Sequence, residues 1–198
     1  MSGFYPIIQN EQYANGLFPV IPPVADGTAV LLTDGKFPPV AIDSRLSIRR
    51  IRNGKYSRKI TISTAVHQIT IPFRVMSKND PYQFDVSVSA DVRVSDPIIF
   101  FNSRITDAAE ALRQSFSADI RRAAKTCAIR DFNTLDDEIY IILHTSDHET
   151  VDTQTGIAYQ VTGVETRPDK DGMERIKELH GNGHSLTLIT RMRADSNG

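Results

Sequence analysis

His144 and His148 stand four residues apart, with Asp147, Glu149 and Asp152 close by. Two imidazoles on one helical face, flanked by carboxylates, form a donor set for zinc or a similar ion. The HExxH order that would add a general base is absent, and the segment is polar, so its plainer reading is a solvated helix end. His180 and His184 flank Gly181-Asn182-Gly183, a helix stop and turn, and so share no helix face. Cys127 is the one cysteine, which excludes an internal disulfide framework and a cysteine-rich zinc site. It falls on an apolar helical stripe, where a thiol behaves as a small inert hydrophobe. Asp85 and Asp91 are six residues apart along one strand, too far to work as an acid–base pair without help from elsewhere.

A second set of residues suits binding rather than bond making. Arg45, Arg49, Arg50, Arg52, Lys55, Arg58 and Lys59 place seven cations in residues 44–59 with no acid among them. Such a cluster is commonly a solvated face, but it also suits anionic lipid headgroups, which attract nearby cations by about 1 kcal/mol each. Upstream, Leu17-Phe18-Pro19-Val20-Ile21-Pro22-Pro23-Val24 is apolar, yet its three prolines forbid a regular helix or central strand. It reads as an arm packed on the domain or as a tip entering a membrane shallowly, aided by Phe4, Tyr5, Ile7 and Ile8. The candidate lipid-facing residues are Phe18, Ile21, Arg49, Arg50, Arg52, Lys55, Arg58 and Lys59.

No Gly-rich phosphate loop, GxSxG elbow or paired cysteine motif is present. With no nucleophile–base arrangement to build on, the expectation is a protein that is not an enzyme and uses no metal or cofactor. A net charge of −1 over 198 residues argues against a nucleic-acid partner. No run approaches the ~20 apolar residues of a spanning helix, and Met1-Ser2-Gly3-Phe4 opens no secretory signal.

The organising element is Gln83 to Pro97. Phe84, Val86, Val88, Ala90, Val92 and Val94 fall on alternate residues, the pattern of a strand with one buried face, stopped by Asp96-Pro97. Before it, Thr28 to Thr33 reads as a strand closed by Asp34-Gly35, and Lys36 to Asp43 as a loop. Residues 44–64 read as a hairpin turning at Asn53-Gly54, with Leu46, Ile48 and Ile51 before the turn and Tyr56, Ile60 and Ile62 after it. Ala65 to Met76 is a strand with a phase slip near Gln68, suggestive of a bulge, and Pro72 puts it on an edge.

After the central strand, Asp107 with Glu110 forms a capping-box-like helix start. Leu112, Phe116, Ile120, Ala123 and Cys127 then make one apolar stripe. A second helix follows Asn133-Thr134, with Asp136, Asp137 and Glu138 in its first turn. Gly156 to Glu165 reads as a strand, Asp171 to His180 as a short helix, and Ser185 to Thr190 as a possible last strand before a frayed tail. The chain divides into an arm (1–27), a folded domain (28–180) and a short strand with tail (181–198). The fold class is α+β: mostly antiparallel, strongly twisted sheet with two to three helices packed on one side.

The ordered set resembles the SPFH family (stomatin, prohibitin, flotillin; the band 7 or PHB domain). It comprises Val92-Arg93-Val94-Ser95-Asp96-Pro97, then Ile105-Thr106-Asp107 with Leu112 and Ile120-Arg121-Arg122, Phe132-Asn133-Thr134-Leu135, and Gly156 to Glu165 leading to Arg167-Pro168. The likeness covers about residues 28–180. It implies a non-catalytic module at the cytoplasmic, inner face of a membrane, organising lipids or membrane-protein partners such as a protease, and self-associating in the full-length protein. Relatives carry a membrane helix or hairpin and a long charged assembly helix. This chain shows neither up to Gly198, so attachment would be peripheral or through a partner. Contact with anionic lipid is one expectation. The alternative is a soluble protein-interaction domain using the edge around Pro72.

Overall fold

The computed structural model describes residues 3–13, 20–43, 48–54, 56–78, 81–144 and 149–179. It is an α+β fold containing two antiparallel four-stranded sheets. The first sheet has the order β1 (Ile7–Gln12), β4 (Arg58–Ser63), β2 (Thr28–Thr33), β3 (Val40–Ala41). The second has the order β5 (His67–Met76), β6 (Gln83–Val94), β8 (Ile157–Pro168), β7 (Thr150–Asp152).

The alternation in β6 acts as the pattern requires. Phe84, Val86, Val88, Ala90, Val92 and Val94 are all buried, and the residues between them are not. Residues directly opposite in an antiparallel pair share a face. Ile69, Ile71, Phe73 and Val75 of β5 therefore extend the same apolar layer. That layer is closed by α3 (Ala108–Ala124), which packs on β5, and α4 (Phe132–Leu143), which packs on β8. Leu112, Phe116, Ile120 and Ala123 of α3 meet Leu135, Ile139 and Leu143 of α4 in one core that also takes Leu31, Ile60 and Ile62 from the first sheet. Cys127 is buried at the end of this stripe.

The expected bulge near Gln68 is absent: β5 pairs with β6 without interruption. The apparent phase slip arises because Val66 precedes the strand and is exposed. The irregularity lies across the sheet, where Ser89 opposes Gly163 and Ala90 opposes Val161, leaving Thr162 as an extra residue in β8.

Asp96-Pro97 ends β6 as expected, but it also starts α2 (Pro97–Ser103). The Asp96 carboxylate accepts from the Ile98 and Ile99 amides at 2.9 Å each, and proline suits a first helical position, where its missing N–H would have no partner. Gly156 meets this corner. Its carbonyl accepts from the Ser95 and Asp96 amides, its φ is +70°, and a Cβ there would lie 2.4 Å from the Asp96 carbonyl oxygen. Only glycine fits.

The hairpin expected over 44–64 does not form. Ile48–Gly54 is a helix, α1, whose Ile51 is buried against Leu32 and Tyr56, and β4 pairs with β1 and β2 instead. Ile48 and Ile51 stand three apart, a helical spacing, and Asn53-Gly54 works as a helix stop rather than a hairpin turn. The helices are more numerous than the two to three expected, and α2 and α5 (Lys170–Leu179) share the core with α3 and α4 through Phe100 and Ile176. Five occur among the described residues: α2 lies against β2 and β3, and α5 lies against β8 and the 3₁₀ turn Ile129–Asp131. Within the arm, residues 7–12 are the edge strand β1, and Phe4 is buried in the main core. The strand expected at Ser185 to Thr190 lies outside the described residues.

Candidate functional site

The cationic residues read as one hairpin face are divided between a helix and a strand. Arg49 and Arg52 lie on α1 with exposed side chains, held there by the burial of Ile51 beneath them. Arg50 belongs to the same helix, but its side chain, like all of Phe18, Arg45 and Lys55, lies outside the described residues. Arg58 opens β4, opposite Thr33 and Gln12, and is exposed. Lys59 is half-buried, points to the other face of β4 and is held by Glu11 at 2.7 Å. Ile21 is exposed in the segment before β2. The structure thus brings α1 and the start of β4 together, and removes Lys59 from the free cations.

This grouping follows from local connections. The Ser57 amide donates to the Thr33 carbonyl and the Tyr13 amide to the Ser57 carbonyl, so the segment after α1 is stitched to the ends of β1 and β2. Among the described residues Arg49, Arg52 and Arg58 have no carboxylate within ion-pair distance. The result is a positive pole at one end of the first sheet, suited to attract anions rather than to perform a reaction.

Among the described residues, those considered for metal or acid–base chemistry do not converge. His144 stacks on Tyr140 with ring centroids 4.8 Å apart at the end of α4. Glu149 is forked onto Arg93 at 2.8 and 2.6 Å, and Asp152 accepts from Gln154 and Thr155 within its own turn. His148, His180 and His184 lie outside the described residues. Among the described residues no group of three or more His, Cys, Asp or Glu could hold a metal ion. Asp85 is tied to Arg74 at 2.8 Å. Cys127 lines a polar hollow of about 480 Å³ with Thr126, Arg130, Asp131, Asn133, Thr134 and Glu138. Burial raises its thiol pKa and nearby Asp131 pushes the same way, so the reactive thiolate is disfavoured.

Two acids behave differently from the sequence reading. Glu110, expected to bond back toward Asp107, forks forward onto Arg113 with two 2.7 Å contacts, and that guanidinium lowers its pKa to about 2. Asp136 was expected in the first turn of a helix beginning after Thr134, where the helix dipole favours anions. The helix starts at Phe132, which turns Asp136 inward toward Thr166. Burial raises the carboxyl pKa, opposed by the nearby Thr166 side chain and backbone, although Asp136 Oδ1 and Thr166 Oγ1 are buried without a partner at full hydrogen-bond geometry. Nothing in the local sequence signals this; it depends on where the helix begins.

No helix among the described residues is long and apolar enough to cross a membrane. No protein-family model matches the chain, and no curated protein matches it either.

Proposed function

We propose that this chain is a membrane-associated scaffolding and oligomerisation module of SPFH type, working peripherally at the cytoplasmic, inner face of a membrane. The observation that carries this reading is the cationic pole formed by Arg49, Arg52 and Arg58, which pair with no carboxylate among the described residues, in a protein of net charge −1. Cations near an anionic bilayer each contribute about 1 kcal/mol, so three give useful but reversible attachment. The order of long strand, two packed helices and returning strand supports the family resemblance, and the dispersal of the titratable groups supports binding over catalysis. Partners are anionic lipid, further copies of the protein and membrane proteins such as a protease.

Flotation with vesicles of phosphatidylcholine and phosphatidylserine tests the reading. The protein is expected to float, and Arg49, Arg50 and Arg52 changed together to Glu are expected to leave it at the bottom. An unbound wild type would refute the membrane role.

The alternative is a soluble interaction domain that docks partners on β5. That strand is an edge of its sheet, but Pro72 lacks the N–H an added strand would use there. A partner captured equally well after membrane extraction, and lost on altering the β5 edge, would favour it.

A further inference from the structure

Phe37 is 72% exposed, an unusual position for a large aromatic side chain, and it stands on a loop that is built rather than slack. The Asp34 carboxylate accepts from the Lys36 and Phe37 amides at 2.9 Å each, and the Thr33 hydroxyl accepts from the Gly35 amide at 3.0 Å. Gly35 takes a left-handed φ of +76°, and Pro39 is buried where the loop re-enters the sheet. Phe37-Pro38 is therefore presented to solvent on a fixed turn, so little conformational freedom is lost when it meets a surface.

What surrounds this turn gives it a direction. It leaves β2 at Thr33, the residue paired with Arg58, so it projects from the end of the first sheet that carries the cationic pole. Tyr13 reaches the same end through Ser57, and its hydroxyl donates to the carbonyl of Val20, whose side chain is 74% exposed. Lys36, Arg52 and Arg58 are exposed cations at this end. Of the acids here, Asp34 spends its carboxylate on the loop amides and Glu11 on Lys59. An apolar point with cations at the same end, unpaired among the described residues, matches a bilayer with anionic headgroups: the cations meet phosphate or carboxylate while the point enters the acyl boundary. Ile141 is as exposed, at 71%, but sits on α4 away from this pole.

We infer that the Phe37-Pro38 turn is the point at which this protein enters an anionic lipid surface. The inference rests on the membrane reading above and specifies which residues make the contact. The chain has no tryptophan, so Phe37→Trp supplies a single indole reporter at the point itself. With phosphatidylcholine–phosphatidylserine vesicles its emission is expected to shift to the blue and to be quenched by brominated acyl chains. Phe37→Ser is expected to weaken partitioning about tenfold, the scale of one aromatic side chain returned to water. Ile141→Ser should leave partitioning unchanged, and all three variants should keep the wild-type melting transition to within a few degrees. Wild-type binding with an unshifted, unquenched indole, or equal losses for the Phe37 and Ile141 variants, would overturn the inference while leaving membrane association standing. Wild type that ignores the vesicles altogether would overturn both.

Discussion

Around the second sheet and its helices, seven arginines are held by carboxylates. Arg74 pairs with Asp85, Arg93 with Glu149, Arg113 with Glu110, Arg122 with Asp119, Arg130 with Asp131, Arg167 with Glu165 and Arg175 with Glu178. Arg104 and Arg121 are the exceptions there. At the end of the first sheet, Arg49, Arg52 and Arg58 face water with no such partner among the described residues. Exposed pairs of the first kind contribute little to stability, about 0–1 kcal/mol each, but they cancel the field a partner would feel. Unpaired neighbours add their fields over a screening length of about 8 Å at physiological salt. The contrast teaches that charge is distributed by region: one part of the molecule has most of its arginines paired with carboxylates, and the other keeps cations able to attract anions.

The comparison depends on the two regions forming one folding unit, and Phe4 joins them. It is buried in the shared core, its amide donates to Asp107 at the start of α3, and its carbonyl accepts from Ala108. Phe4→Ala is expected to cost about 3 kcal/mol, the scale of a buried aromatic truncated to a methyl. Urea unfolding followed by circular dichroism should show one transition at lower midpoint. Two separated transitions would mean that the regions fold independently.

Gly156→Ala should act within the second region, at the corner joining β6, α2 and β8, by about 2 kcal/mol. Its added carbon would meet the Asp96 carbonyl at 2.4 Å with φ already left-handed. An unchanged midpoint would show that this corner yields easily.

Asp136→Asn is the smallest expected effect, and it is stabilising. Burial raises the folded carboxyl pKa above its ordinary 3.8, outweighing the lowering effect of Thr166, with Asp137 and Glu165 adding repulsion. The folded state therefore prefers the protonated form. The Asp136 contribution to stability is fully present below pH 3.8 and is lost as pH rises through the folded pKa. The amide should add about 1 kcal/mol at pH 7, with the advantage vanishing in acid. A pH-independent difference between the two proteins would assign the effect to something other than this charge.

The central strand and the long helix could be read directly because their periods are unambiguous. Phe84 to Val94 alternates without a break, and Leu112 to Cys127 repeats on one helical face. The membership of Pro72 in an edge strand was equally plain, since proline withholds a ladder donor. The elements that escaped are those where a local signal serves two purposes. Asn53-Gly54 is a hairpin turn or a helix stop, and the choice was made by Ile51 finding Leu32 and Tyr56, a contact distant in sequence. Asp96-Pro97 ends a strand and caps a helix with the same two residues. The polar stretch of β1 shows no burial pattern because its place is secured by backbone pairing with β4 and by Phe4. The candidate site was legible as a composition of cations, but not as a surface. Lys59 could be removed from it only by seeing Glu11, and Phe37 joined it only once its loop was seen to project beside Arg58.

Thr162 has one more implication. Because β8 carries a residue that its ladder with β6 does not use, Val161 and Val164 both point into the core although three positions separate them. Excising Thr162 or Gly163 would leave a plain alternating strand with every inward side chain still inward, whereas excising Val161 would restore the alternation only by turning Thr162 into the core in its place. Among descendants of this sequence, a one-residue gap at that spot is the length change the sheet can absorb silently.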